Sequence, residues 1–183
     1  MIKASINRLD GFIKDILDYS LNARKDLSFE QIDFYGVIGE TQDNFKLING
    51  SERLKVNIRL TGAGPFYSDR TRIGMLMNNL FSNAIKYQDF RKSTSTVSIQ
   101  IGITQESATL QFSDNGIGIE AHHIPRIFDM FYRASDNSKG SGLGLYIARE
   151  AIHKLEGTIH AHSVFGEFTM FEMVIPNQAP KEA

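Results

Sequence analysis

Asn79, Asn83, Lys86 and Tyr87 recur at spacings that place them on one face of a helix, within the run Asn79-Leu80-Phe81-Ser82-Asn83-Ala84-Ile85-Lys86-Tyr87. Amide oxygens suit a hard cation such as Mg²⁺, which keeps most of its waters and takes few protein ligands. A lysine one turn further along can meet phosphate charge. An ordinary polar helix face has the same composition, so this run alone decides little. Downstream, Asp114-Asn115-Gly116-Ile117-Gly118-Ile119 follows directly on an alternating stretch. An aspartate there can accept a hydrogen bond from an exocyclic amine such as the adenine 6-amino group, and the glycines let backbone approach a ligand closely. A plain turn is the bland alternative. A calcium loop would need acids at alternate positions and a distal glutamate, which are missing.

Two further runs follow in order. Ile127-Phe128-Asp129-Met130-Phe131-Tyr132-Arg133 carries two phenylalanines three apart. They are either core or a latch that holds a lid down, with Arg133 facing phosphate. Gly140-Ser141-Gly142-Leu143-Gly144-Leu145 opens a helix, where backbone N–H groups and the helix dipole favour an anion. Its context is a loop and not the first strand of a βαβ unit, so a dinucleotide fingerprint does not fit, and a Gly-x-x-x-x-Gly-Lys-Ser/Thr run is absent.

These runs need elements to hold them. Residues 2–24 carry Ile2, Ile6, Leu9, Ile13, Ile16 and Leu17 mostly three or four apart, which predicts a long first helix with a narrow apolar stripe suited to a bundle. Phe29, Ile32 and Phe34 predict a short strand, and 34–48 a second helix. Leu54–Leu60 alternates as a strand, and Phe66-Tyr67 is extended. Ser68 or Asp69 caps the helix that bears Asn79 and Asn83. Val97–Ile103 and Ala108–Phe112 form a hairpin. A helix is expected over about 143–156 and two strands near 157–163 and 168–175. The fold class is therefore α+β: a two-layer sandwich of a mixed, mainly antiparallel sheet covered by helices, preceded by the long helix. The domain division is 1–25, 26–176, and a loose tail at 177–183. The irregular stretch between Gly118 and Gly140 is long enough to be a functional lid.

Composition narrows the function classes. With 20 basic and 21 acidic side chains the net charge is -1. That balance argues against nucleic acid and against a polybasic membrane anchor. The chain has 0 cysteines, which excludes disulfides and thiolate metal sites and suits a reducing compartment. There is no signal-peptide pattern and no apolar run near the roughly 20 residues of a bilayer span. A cytoplasmic location is expected, with any membrane anchor of the parent outside this stretch. The apolar seam already running at Ile2 reads as a cut through a longer protein.

Together, in this order, the four runs resemble the N, G1, F and G2 boxes of sensor histidine kinases, on the Bergerat-type ATP fold shared with gyrase, MutL and the ninety-kilodalton heat-shock chaperones. The resemblance covers nearly all of 26–176, including Asp69-Arg70-Thr71-Arg72-Ile73 before the first box. It implies ATP and Mg²⁺ as ligands. Asn83 matches the Mg²⁺-binding asparagine, with Asn79 as helper. Lys86 matches the phosphate-facing lysine, and Tyr87 the aromatic residue beside the nucleotide. Asp114 matches the adenine-reading aspartate, flanked by Gly116, Gly118 and Ile119. Phe131 belongs to the F box. Gly140, Ser141, Gly142, Leu143 and Gly144 match the lid-hinge and phosphate segment. Thr169 sits where a Ser/Thr near adenine is common. Asn83, Lys86 and Arg133 are the expected neutralisers of charge in transfer. Phe168 stands where a glycine is frequent, and Glu156-Gly157 replaces a frequent Gly-Gly pair.

The first helix, especially Leu9–Leu21, resembles the second helix of the family's dimerisation and phosphotransfer domain. The helix bearing the acceptor histidine is not in this sequence. The implied partners are therefore ATP or ADP, that helix in a homodimeric parent, and a response-regulator receiver domain. The five histidines read as structural or solvent-exposed, with His122-His123 on a surface helix. Three other readings compete. A gyrase-type ATPase would need a glutamate at Asn79. A nucleotide-free scaffold would not keep the asparagine, aspartate and glycine set. A serine kinase of the anti-sigma-factor type shares the boxes but not the apolar first helix.

Overall fold

The computed structural model describes residues 12, 13, 16, 17, 19, 20, 22, 24–46, 48, 50–62, 64–134 and 140–178. Of the expected first helix, the described residues Phe12, Ile13, Ile16, Leu17, Tyr19, Ser20, Asn22 and Arg24 are helical, and the rest, including Ile2, Ile6 and Leu9, lie outside the described residues. The elements that follow are β1 (Phe29–Gln31), α1 (Phe34–Phe45), β2 (Leu54–Gly62), β3 (Tyr67–Asp69), α2 (Arg70–Lys86), β4 (Ser95–Ile103), β5 (Ser107–Asp114), α3 (Gly144–Lys154), β6 (Thr158–Val164) and β7 (Phe168–Pro176). Short 3₁₀ turns cover Ser51–Arg53 and Ile124–Arg126.

Five strands pair in the order β2-β4-β5-β7-β6, while β1 and β3 form a separate antiparallel pair. Only β2 and β4 run parallel within the five. Between them the chain crosses over through α2, as a parallel neighbour requires. Burial alternates along β4, β5 and β7, so one face of the sheet is apolar. That face carries Ile99, Ile101, Leu110, Phe112, Phe171 and Met173, which form one core with Ile73, Leu76, Leu80 and Phe81 of α2 and Ile152 of α3. Phe81 meets Phe112 edge-on at 5.2 Å. The opposite face is polar, with Gln111 donating to Glu172 across β5 and β7.

Asp69, and not Ser68, caps α2: its Oδ1 accepts the Arg72 N–H at 3.0 Å. Its Oδ2 is held by the Arg72 guanidinium at 2.6 Å, with both side chains buried. Arg72 also donates to the carbonyls of Asn22 and Lys25, so this pair ties the leading segment to the domain.

Several boundaries differ from the sequence reading. β1 stops at Gln31 and Phe34 opens a helix, because Asp33 stays extended and Phe34, Val37, Ile38 and Thr41 are buried at helical spacing. α1 ends at Phe45, and Ile48 is exposed. The tail is tied at its start. Asn177 accepts the Tyr67 N–H and Gln178 donates to the Tyr67 carbonyl. Residues 179–183 lie outside the described residues. Among the described residues no helix is long and apolar enough to cross a membrane.

Candidate functional site

Asp114 ends β5 between Val97 of β4 and Thr169 of β7, so the sheet itself fixes its position. Its carboxylate is buried, at 8% exposure. Oδ1 accepts the Gly116 N–H at 2.9 Å. Burial pushes its pKa up to about 6; the Gly116 hydrogen bond and the nearby Lys92 charge pull it back down. Gly116 has no room for a side chain. A Cβ there would lie 2.4 Å from the Tyr87 carbonyl oxygen and 2.6 Å from Asp114 Oδ1.

A cavity opens over this carboxylate. Its floor is Asp114, Thr169 and Phe171, and one wall is Ile117, Gly118 and Ile119. Asn83 and Tyr87 enter from α2, Leu145 from α3, and Ile127, Tyr132 and Arg133 from the long connection between β5 and α3. The lining is mainly apolar, with Asn83, Glu120, His123, Arg133 and Thr169 as polar members beside the buried carboxylate. A second, more polar cavity shares Asn83, Tyr87, Ile127, Tyr132, Arg133 and Leu145 with the first, so the two are compartments of one cleft. Its further lining is Asn79, Ser82, Lys86, Gly140, Ser141, Gly142 and Gly144.

Local sequence explains how the polar compartment is assembled. Asn79 donates from Nδ2 to the Met75 carbonyl one turn back, at 2.9 Å, which leaves Oδ1 on the side of Gly144. A Cβ on Gly144 would stand 2.9 Å from that oxygen. Gly140 approaches Lys86 equally closely, at 3.0 Å from Nζ to its would-be Cβ. α3 starts at Gly144 with no side-chain cap among the described residues, so first-turn N–H groups are left to face the cleft. The Ser141 hydroxyl accepts the Leu143 N–H at 3.0 Å and shapes the approach to that helix end.

The cleft thus brings together Asn79, Asn83, Lys86, Tyr87, Asp114, Gly118, Ile119, Arg133, Gly140, Ser141, Gly142, Gly144 and Thr169. Three expected residues line neither compartment. Leu143 is buried in the core. Gly116 acts beneath the cleft, through the close approach it permits. Phe131 is exposed; its backbone sits at a positive φ of 62° and approaches Gly142 closely. The histidines need a correction too. His123 lies in a turn, not on a surface helix, lines the cleft, and meets the Tyr132 hydroxyl at 2.7 Å from Nδ1.

Sequence reasoning missed Lys92, whose Nζ donates to the carbonyls of Asn115, Gly116 and Glu167. It also missed Phe165, which reaches the mouth of the cleft from the turn between β6 and β7. Neither carries a motif. The pairing of β4 with β5 brings Lys92 to the loop after Asp114, and the pairing of β5 with β7 brings in the Phe165 turn.

The family described as histidine kinase-, DNA gyrase B-, and HSP90-like ATPase matches residues 68–179. Cyanobacterial phytochrome B of a Nostoc strain is 33% identical over 172 residues, covering 90% of this chain and 22% of that protein. The signal transduction histidine-protein kinase BaeS of Escherichia coli is 27% identical over 172 residues, covering 90% of this chain and 36% of its own. The chain therefore spans well under half the length of these relatives. Among solved structures, the histidine kinase AdeS of Acinetobacter baumannii superposes with a TM-score of 0.75 at 25% identity, over 94% of this chain and 80% of that one. With the matched family covering the cleft, its floor and its helices, this chain belongs to the histidine kinase-, DNA gyrase B- and HSP90-like ATPases.

Proposed function

We propose that this chain is the ATP-binding kinase domain of a two-component sensor histidine kinase, which passes the γ-phosphate of ATP to a histidine on a separate dimerisation helix. The observation that carries this reading is the two-compartment cleft. An apolar slot with one buried carboxylate opens into a polar compartment with a lysine, an arginine, two amides and an uncapped helix start. An adenine ring suits the first and a triphosphate the second. Asp114 would accept the exocyclic amine, with Thr169 beside it. Lys86, Arg133 and the amides from Ser141 to Gly144 would meet phosphate oxygens.

The donor set also fits Mg²⁺. Asn83 and the Asn79 Oδ1 are hard oxygen donors beside the phosphate compartment, and the remaining ligands would be water and phosphate. The cation would neutralise charge on the transferring group.

Asn79 also argues for transfer over hydrolysis. It stands one helical turn before Asn83, where a hydrolase of this fold would place a base, and an amide cannot accept a proton from water. The acceptor imidazole is itself the nucleophile, so the domain needs only to bind, aim and neutralise. The first helix, with Ile13, Ile16 and Leu17 exposed, fits docking into a homodimeric bundle that holds the acceptor. A receiver domain would take the phosphoryl group onward.

The test is binding and transfer on this chain. Calorimetry with Mg²⁺ and ATP should give micromolar-range affinity. Labelled ATP should leave this chain unlabelled, and should label an added dimerisation domain carrying the acceptor histidine. No binding at all would sink the reading and leave a nucleotide-free scaffold as the better account. Binding with rapid ADP release and no acceptor label would favour a hydrolase.

A further inference from the structure

Lys92 lies between α2 and β4, outside every residue assigned above to nucleotide contact. Its ammonium donates to the carbonyls of Asn115 at 2.8 Å, Gly116 at 3.2 Å and Glu167 at 2.7 Å. Those bonds use all three of its protons. The first two carbonyls belong to the loop that leaves Asp114. The third belongs to the turn between β6 and β7, which presents Phe165 to the cleft.

These two segments lie side by side at the slot over Asp114, where a Cβ on Gly118 would stand 2.2 Å from the Val164 carbonyl oxygen. They are bonded to the sheet and to each other. Asn115 accepts the Thr96 N–H and donates to the Thr94 carbonyl, fixing the loop to the start of β4. The Ile117 N–H donates to the Tyr87 carbonyl, and the Gly166 N–H to the Ile117 carbonyl. The Ile119 N–H donates to the Ser163 hydroxyl, which in turn donates to the Phe168 carbonyl. Lys92 closes the set by holding both segments on one charged atom. Its charge also opposes the effect of burial on the Asp114 carboxyl.

We propose that Lys92 is a positioning residue for purine recognition: by gathering the Asn115, Gly116 and Glu167 carbonyls onto one ammonium, it fixes the Asp114 carboxylate and the Phe165 turn at the separation needed by a purine bearing an exocyclic amine. This rests on the ATP reading above. The competing account is a surface lysine that merely stabilises a loop. The two differ in what happens to selectivity. A loop stabiliser lowers affinity for every nucleotide alike. A positioning residue lowers affinity chiefly for the ligand that bonds Asp114.

The experiment compares Mg-ATP with the triphosphate of purine riboside, which lacks the 6-amino group. Affinities are measured by calorimetry on the wild type, Lys92→Met and Lys92→Arg from pH 5 to pH 8. Methionine keeps the aliphatic stem, so a thermal melt close to wild type reports an intact fold. The expected result is about a tenfold loss for ATP in Lys92→Met and less than about threefold for the analogue, the scale of one hydrogen bond to a charged group. The pH at which ATP loses its advantage should also move up, since the carboxyl has lost a neighbouring cation. Lys92→Arg keeps the charge but not the three-way geometry, and should leave that pH near wild type. Equal losses for both nucleotides with an unmoved pH midpoint would overturn the proposal, and so would unchanged affinities. If the wild type binds neither nucleotide, the ATP reading itself fails, and that outcome is distinct from the other two.

Discussion

Residues 114–118 and the described residues 127–134 both contribute to the cleft, and they are held by different kinds of bond. The first segment is tied to elements distant in sequence. Asn115 reaches Thr94 and Thr96, Ile117 reaches Tyr87, and Lys92 and Gly166 close it from the other side. The second segment carries short local turns, such as Asp129 N–H to Arg126 and Tyr132 N–H to Asp129, and rests on the core through Ile127 and Phe128 side chains. It also holds a bulky residue, Phe131, at a positive φ with its ring exposed. The floor inherits its geometry from the sheet, whereas the roof can shift without breaking a ladder. On this comparison the floor sets which ligand binds, and the roof sets how it is enclosed and released.

Substitutions can break or sharpen that contrast. The largest effect is expected from Asp114→Asn. Reversing half of its hydrogen-bonding character should cost at least about a hundredfold in ATP affinity by calorimetry, as expected when a buried polar site is mispaired. The fold should not suffer. A carboxyl whose pKa is raised to about 6 stabilises the fold below its unfolded value, and loses that contribution as pH rises through about 6. At pH 8 the amide avoids the cost of a buried charge, so the variant should melt no lower than wild type.

Binding should follow the opposite sign. The ionised carboxylate is the acceptor, so the preference for ATP over its 6-deamino analogue should fall as pH drops below about 6. It should fall by up to about tenfold per pH unit. Because both ligands carry the same triphosphate, its own titration cancels in the ratio. A flat ratio from pH 5 to pH 8 would remove Asp114 from amine recognition.

Glycine substitutions compare floor and roof directly. In Gly116→Ala the new methyl meets the Tyr87 backbone at 2.4 Å, which cannot yield without moving α2 or β5. A loss of about 1–3 kcal/mol in unfolding free energy is expected, together with weakened ATP binding. In Gly140→Ala the nearest atom is the flexible end of Lys86, and the cost is confined to its φ of 131°. Its melt should drop less, and the change should appear in transfer rate. Equal destabilisation of the two variants would remove the distinction between a fixed floor and a movable roof.

The smallest effects concern strained backbone. Phe131→Gly relieves a positive φ in the roof and should leave stability within about 1 kcal/mol, with ATP affinity unchanged because the residue lines neither compartment. Glu156→Gly, at a φ of 59° after α3 and away from the cleft, should stabilise by up to about 1 kcal/mol with no change in ATP affinity. A loss of nucleotide binding in the second variant would show that strain outside the cleft is coupled to it.

Legibility followed the range of the interactions. The alternation in 97–103 and 108–112 gave a strand pair whose observed register joins Ile99 to Phe112. The α2 stripe from Ile73 to Ile85 was readable because periodicity is local, and its cap was narrowed to Ser68 or Asp69, of which Asp69 serves. Phe34 was read both as the end of a strand and as the start of a helix, and only the helix holds, since a short apolar run has no local mark separating the two. Within the site, Asp114, Asn83 and the glycines stand out by type and spacing. Lys92 and Phe165 do not, because their neighbours are tens of residues away, and His123 sits in an irregular stretch without periodicity. Phe131 shows the converse: a motif position that is exposed and lines neither compartment.

What the sequence by itself determined is the set of chemical groups and the elements that carry them. Amides and a lysine share one helical face, a carboxylate ends a strand, and glycines precede a helix, and each follows from spacing a few residues long. What only the tertiary structure decided is how those groups meet. The β5–β7 pairing buries Asp114 beside Thr169 and brings the Phe165 turn to Lys92, while α2 packs on α3 so that Asn79 faces Gly144. The physical reason is that burial, which raises the Asp114 pKa and clears an apolar slot above it, is a property of several strands and helices packed together and is written in no single segment.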